Sequence, residues 1–381
     1  MRLIRFHSMA AVAAAVVTGV TGGPATAAGQ GGGTQVSCST AALTAAIATA
    51  SAGGTLSLHR GCIYHLTTEY SAGDGLPIIA QSLTIRGNGA TIVRDGPTAG
   101  LFRIFHVTST GNLRLEDLTV RGGSASGNGG GIRVDNGGKL TLVHVCVRDN
   151  TATGNGGGVW ADAGAAAVVR RSWLAFNNAM NGGGLFTSGT LNVEDSEFSR
   201  NHARASGGGF IQLGGNGYVR TTLIRRNTSA DSGGGVYTGN GGTMEISESK
   251  IANNTSAGRF GGGIANSEQL TLEKTEVKGN VVGGSDGLGG GIYNVTSDGV
   301  LILRGSKVTS NSANGNGTAH GGGIYNNLGT VTLDHSTVRD NASTTAPGGV
   351  FTNTPVTVMA SQVTHNIPTN CSPGLVPGCV N

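Results

Sequence analysis

Little of this chain is aromatic (4%) or charged (12%), and only 8 of its 381 residues are proline. Scarce proline, together with the lack of a strict Gly-X-Y period, excludes collagen. No apolar run approaches the roughly 20 residues a membrane-crossing helix needs. Cysteine is sparse at 5 residues, with neither a CxxC pair nor a His/Cys cluster at zinc-ligand spacing. The formal charge of +4 is too weak for a nucleic-acid partner. Glycine abounds instead: 69 residues, against the roughly 7% usual in soluble proteins. At about 1 kcal/mol per interior glycine, that content excludes a helical bundle. Apolar triplets such as Leu140-Thr141-Leu142 recur along the chain, which a disordered linker lacks.

Residues 1–27 read as a secretory signal: Arg2 and Arg5 at the start, a short apolar run at Ala10–Val20, and small residues at Ala25-Thr26-Ala27. Removing those two arginines lowers the charge from +4 to +2. The expected product is exported and soluble, starts near Ala28 and has no transmembrane segment. Export permits disulfides, and Cys38–Cys62 and Cys371–Cys379 are the expected pairs, each closing a short terminal loop. Cys146 is left as a quiet thiol.

From residue 129 a unit repeats. It opens on Gly-Gly-Gly plus an apolar residue, as at Gly129–Ile132, Gly156–Val159, Gly182–Leu185 and Gly321–Ile324. An apolar-x-apolar triplet follows, and most copies close on Ser/Thr-x-apolar-x-x-Asn. The closing asparagines run from Asn150 to Asn366 at intervals averaging 27 residues, a solenoid period. Each unit holds three segments of period-2 alternation, too short and too punctuated by glycine for helices. Strands of that kind bury their inner faces only by stacking coil on coil, and parallel crossovers are right-handed almost without exception. The expected fold is therefore all-β, a single-stranded right-handed parallel β-helix. Its glycines stack at one corner and its asparagines bond from coil to coil at another. The expected organisation is signal peptide 1–27, linker and N-terminal capping helix 28–54, β-helix 55–366, and a disulfide-closed cap 367–381.

This pairing of Gly-Gly-Gly-Ile with apolar-x-x-Asn resembles the repeats of chlamydial polymorphic outer-membrane proteins and, more widely, the pectate-lyase-like superfamily. The resemblance implies the β-helix and a place outside the cell. That fold carries adhesins, lyases and hydrolases alike, so it implies no single activity. The chlamydial proteins end in a membrane barrel, whereas 15 residues follow Asn366 here, so anchoring by that route is not carried over.

Aligned units turn distant residues into neighbours. In two columns near the Ser/Thr, opposite charges alternate, giving expected rungs Arg170–Glu194–Arg220, Arg171–Asp195, Glu248–Lys274 and Arg304–Asp334. Asp135 and Asp162 break this rule: they fall in one outward column, about 5 Å apart, beside Arg133 and Trp160. Such a pair suits a retaining glycosidase, or calcium as in many polysaccharide lyases. The competing reading is two turn starts, in which each Asp bonds its own backbone. Residues 170–226 hold seven Arg against three acids. An anionic polysaccharide fits that face, with Arg200 and Arg226 as adjacent cations, while long arginine stems in water are the plain alternative. The outward column after the glycines reads Arg133, Trp160, Phe186, Ile211, Tyr237, Ala265, Tyr293, Tyr325, Phe351. It is either a sugar-stacking track or a ladder of rings closing the glycine corner.

The sequence thus leads to a secreted, monomeric β-helix that binds extracellular or cell-surface glycan without a cofactor or metal. Trp160, Phe186, Tyr237, Arg133, Arg200 and Arg226 are the expected contacts. A polysaccharide lyase or glycoside hydrolase using Asp135 and Asp162 is the alternative, and a structural spacer the third.

Overall fold

The structure is a computed structural model that describes residues 33–96, 100–372 and 374–381. The expected signal segment at 1–27 lies outside these residues. The described residues form an all-β parallel solenoid of about 11 turns and hold one short helix, Thr40–Ala48. Each regular coil has four walls. The first is a three-residue strand after the glycines, as in Ile132–Val134, Val159–Ala161 and Leu185–Thr187. The second has five residues, as in Lys139–Val143 and Ala166–Arg170. The third has three, as in Cys146–Arg148 and Trp173–Ala175, and the fourth two, as in Thr151–Ala152. All pair in parallel with the next coil. The second and third walls belong to one 23-stranded sheet, because the early strands Ser82–Arg94 and Asn112–Arg121 run through both.

Alternation explains the core. Ile132, Val159, Leu185, Phe210 and Val236 pile up on the inner side of the first wall, none of them accessible to solvent. The glycine triplets stack as the repeat demands: Gly130 N donates to Gly156 O and Gly157 N to Gly182 O. The first glycine of each full triplet has positive φ, 72° at Gly129 and 68° at Gly156. The second is needed for close approach, since a Cβ on Gly157 would lie 2.6 Å from Gly183 O.

The corners on either side of the third wall share one device. A single left-handed residue turns the chain, and the polar residue after it points inward and bonds to its copy in the next coil. At the corner between the second and third walls, His144, Arg171, Asp195, Thr221 and Glu248 have φ between 47° and 55°. The next column is a hydroxyl ladder, in which Ser172 N donates to Ser196 Oγ and Thr222 N to Ser249 Oγ. Between the third and fourth walls, Phe176, Arg200, Arg226 and Asn253 have φ of 54–57°. There the asparagine ladder follows: Asn201 N and Nδ2 both donate to Asn227 Oδ1 at 3.0 Å. Asn227 Nδ2 also donates to Phe198 O at 3.0 Å.

Both ends are closed. Helix Thr40–Ala48 buries Leu43 and Ile47 over the first coil, and the expected Cys38–Cys62 disulfide ties it there. Strand Thr34–Val36 adds to Gly54–Leu58 ahead of the regular units. At the far end the Cys371–Cys379 disulfide forms. Asn370 Oδ1 accepts from Asn366 N and Nδ2, completing the ladder where the repeats stop.

Candidate functional site

The structure separates the tasks of Asp135 and Asp162. Both follow first-wall strands in register, Val134 opposite Ala161. Asp162 Oδ1 accepts from its neighbour Ala163 N at 2.8 Å, and Asp162 O accepts from Ala165 N, which is the turn arrangement. Asp135 makes the same backbone turn, its carbonyl accepting from Gly138 N, but its side chain enters a network that the repeat alignment missed. Its Oδ1 takes Arg133 Nε at 2.7 Å and its Oδ2 faces His106 Nε2 at 2.9 Å. The other ring nitrogen of His106 lies 2.9 Å from Asp74 Oδ2, and Asp74 Oδ1 binds Arg103. Both oxygens of Asp135 are thereby occupied.

Burial alone raises the Asp135 carboxyl, but the hydrogen bonds and charges of Arg133 and His106 outweigh it and hold its pKa below the usual range. Asp74 is lowered in the same way: burial opposes, and His106 and Arg103 prevail. Burial likewise opposes the His106 imidazolium, yet its two carboxylate partners raise its pKa above the usual value. The result is a clamp of fixed charges joining the irregular segment around Asp74 to the first regular coils. It lies at the start of the outward column, where His106 sits opposite Arg133 and Arg133 opposite Trp160.

That column is a closed stack. The Arg133 guanidinium lies 5.3 Å from the Trp160 ring. Trp160, Phe186 and Ile211 form a cluster exposed by only 2–8%, with Leu213 and Tyr237 packed on it. Farther along, Tyr293 stacks on Phe260 at 4.6 Å and Tyr325 on Phe351 at 4.7 Å. Trp160 and Phe186 are thus covered by their neighbours, with Tyr237 packed against the same apolar cluster over the glycine corner.

On the third wall Cys146, Trp173, Glu197 and Leu223 are successive outward neighbours. Of the seven arginines only Arg225 lies in a third-wall strand, with Arg200 and Arg226 at the corner that follows it. Trp173 Nε1 donates to Ser199 Oγ at 2.7 Å. Phe176, 41% exposed, meets Trp173 edge-on at 6.2 Å. The Arg200 guanidinium lies 5.3 Å from the Phe176 ring. Glu197, buried although it points outward, is held by Arg225 through Nε at 3.1 Å and Nη2 at 3.0 Å. Arg226 is exposed and makes no ion pair or side-chain hydrogen bond among the described residues. Sequence reasoning reached Arg200 and Arg226 and took Phe176 only as a neutral neighbour in their column. It passed over Trp173, whose column reads Cys146, Trp173, Glu197 and Leu223 and has no fixed residue type.

Of the expected charge rungs, Arg170–Glu194 forms at 3.6 Å. The others are corrected: Arg220 turns to Glu248, Lys274 to its own neighbour Glu273, Asp195 takes the Thr221 hydroxyl, and Asp334 pairs with His335. One of the two columns is the left-handed corner, where the cross-strand pairing rule for sheets does not hold. Cys146 is half-buried, and burial pushes its thiol up to about 11, a value at which the thiolate is rare.

Among the described residues no group of three or more His, Cys, Asp or Glu is placed to hold a metal. No helix among them is long and apolar enough to cross a membrane. A groove of about 580 Å³ lies between helix Thr40–Ala48 and residues 66–75, lined by none of the side chains singled out from the sequence. Compared with protein-family models, curated proteins and solved structures, the chain matches none.

Proposed function

We propose that this is an exported, monomeric β-solenoid that binds extracellular or cell-surface glycan on its outer wall and does no chemistry on it. The observation that carries this reading is the edge of the third wall: Trp173 on the wall meets Phe176 edge-on at the left-handed corner, Arg200 and Arg226 follow Phe176 in the next two coils, and Arg225 lies on the wall beside them. Aromatic rings beside polar and cationic groups suit sugar rings, which present apolar C–H faces and a rim of hydroxyls. Two disulfides and the absence of a membrane-crossing helix among the described residues fit an extracellular setting. The repeat resemblance to chlamydial polymorphic outer-membrane proteins and pectate-lyase-like proteins points the same way, toward a surface or matrix role.

A lyase or hydrolase using Asp135 and Asp162 would have to break the contacts that occupy Asp135, and a calcium ion there would meet the same competition. Glycan-panel binding by calorimetry tests the proposal. The double variant Trp173→Ala/Phe176→Ala is expected to weaken binding at least about ten-fold, the 1.4 kcal/mol within reach of one aromatic contact. Asp162→Asn is expected to leave it unchanged. Release of unsaturated or reducing-end products from pectate, alginate or hyaluronan would favour catalysis instead.

A further inference from the structure

We infer that the glycan held on this wall is acidic, and that its carboxylate or sulfate group sits at the corner formed by Arg200 and Arg226. The inference rests on the reading of Trp173 and Phe176 as the sugar platform. It starts from an arrangement that folding does not require.

Arg200 and Arg226 occupy the left-handed corner position of successive coils, with φ of 56° and 54°. That position favours glycine or asparagine, and the next two coils carry Asn253 and Gly279 there. Arginine gains nothing from the turn itself. The acids on these coils are already engaged: Glu194 with Arg170, Asp195 with the Thr221 hydroxyl, Glu197 with Arg225, and Asp231 with the Ser232 hydroxyl. Two adjacent cations on coils about 4.8 Å apart repel each other, so an anion bridging them relieves that repulsion while gaining charge-assisted hydrogen bonds.

The corner is also aligned with the platform. Phe176 is the residue of the same column one coil earlier, under the Arg200 guanidinium. Arg226 lies about 10 Å from Phe176 along the rod, two coil spacings. A chain of linked sugars lying along the rod can therefore pack against Trp173 and the edge of Phe176 and present an acidic group to the arginines in one pose. Guanidinium geometry matches planar carboxylate and tetrahedral sulfate alike, so the shared chemistry is an anionic oxygen pair.

The test uses the mature protein and its variant Arg200→Asn/Arg226→Asn, which the corner accepts because Asn253 already adopts it. Binding is measured by calorimetry to a polyuronate, to the same polymer after carboxyl reduction, and to a sulfated glycan. The expected result is at least ten-fold weaker binding of the acidic polymer by the variant, and a similar loss when wild type meets the reduced polymer. A parallel loss with the sulfated glycan shows that the corner takes either anion, and a loss confined to the polyuronate assigns the group as carboxylate. Lys307→Gln, a cation farther along the same wall, is expected to change nothing. Equal affinity for the acidic and reduced polymers, with the asparagine variant unaltered, overturns this inference and leaves glycan binding standing. Failure of every glycan to bind wild type overturns both.

Discussion

With a carboxylate at each ring nitrogen, His106 contributes most while it is protonated and Asp74 and Asp135 are ionised. The linkage has two limbs. The aspartates have folded pKa values below the 3.8 reference, so their contribution is full above 3.8 and is lost as pH falls through the lower folded values. His106 has a folded pKa above 6.5, so its contribution is full below 6.5 and is lost as pH rises through the higher folded value. The difference in melting temperature between wild type and His106→Asn should therefore be greatest between pH 3.8 and 6.5, and should shrink on both sides. A difference constant from strong acid to alkaline pH would show that the clamp is packing alone. This network was illegible in the sequence. Asp74 and His106 lie in irregular early coils, where no repeat exists to align them, so the sequence pattern starts the column of Arg133 one coil too late.

At the scale of a coil, the asparagine corner makes a sharp claim. Asn227 accepts from Asn201 N and Nδ2 and donates to Phe198 O. Asn227→Ala strands these groups in the interior, at about 1–3 kcal/mol for each unsatisfied one. A loss of about 3 kcal/mol or more is expected in urea denaturation, and a loss below about 1 kcal/mol would mean that water replaces the rung. Asparagine stacking was readable because the residue recurs at a fixed period and its amide offers both donor and acceptor. The matching hydroxyl ladder through Ser172, Ser196 and Thr222 shows in the sequence only as a recurring Ser/Thr, because a hydroxyl serves equally well on the surface. The left-handed corners were hidden, because the usual signal is glycine or asparagine and these columns hold Arg171, Thr221, Phe176 and Arg200 instead. Reading them as sheet positions produced charge rungs that the folded chain does not make.

Taken whole, the molecule is a stack of coils whose interior is explained by repetition and whose function must lie where repetition breaks. Two such breaks compete for a ligand: the Trp160 face beside Asp135, and the Trp173 face beside Arg200. The chain has 2 tryptophans, one at each place. Trp160 is 8% exposed, under Arg133, whereas the Trp173 indole lies on the open third wall, donating to Ser199. A titration of the ¹⁵N-labelled protein with an acidic oligosaccharide, following both indole N–H resonances, therefore discriminates directly. The account requires the Trp173 resonance to shift and saturate while the Trp160 resonance stays in place. Movement of Trp160 alone, or of neither indole with ligand in large excess, would contradict it.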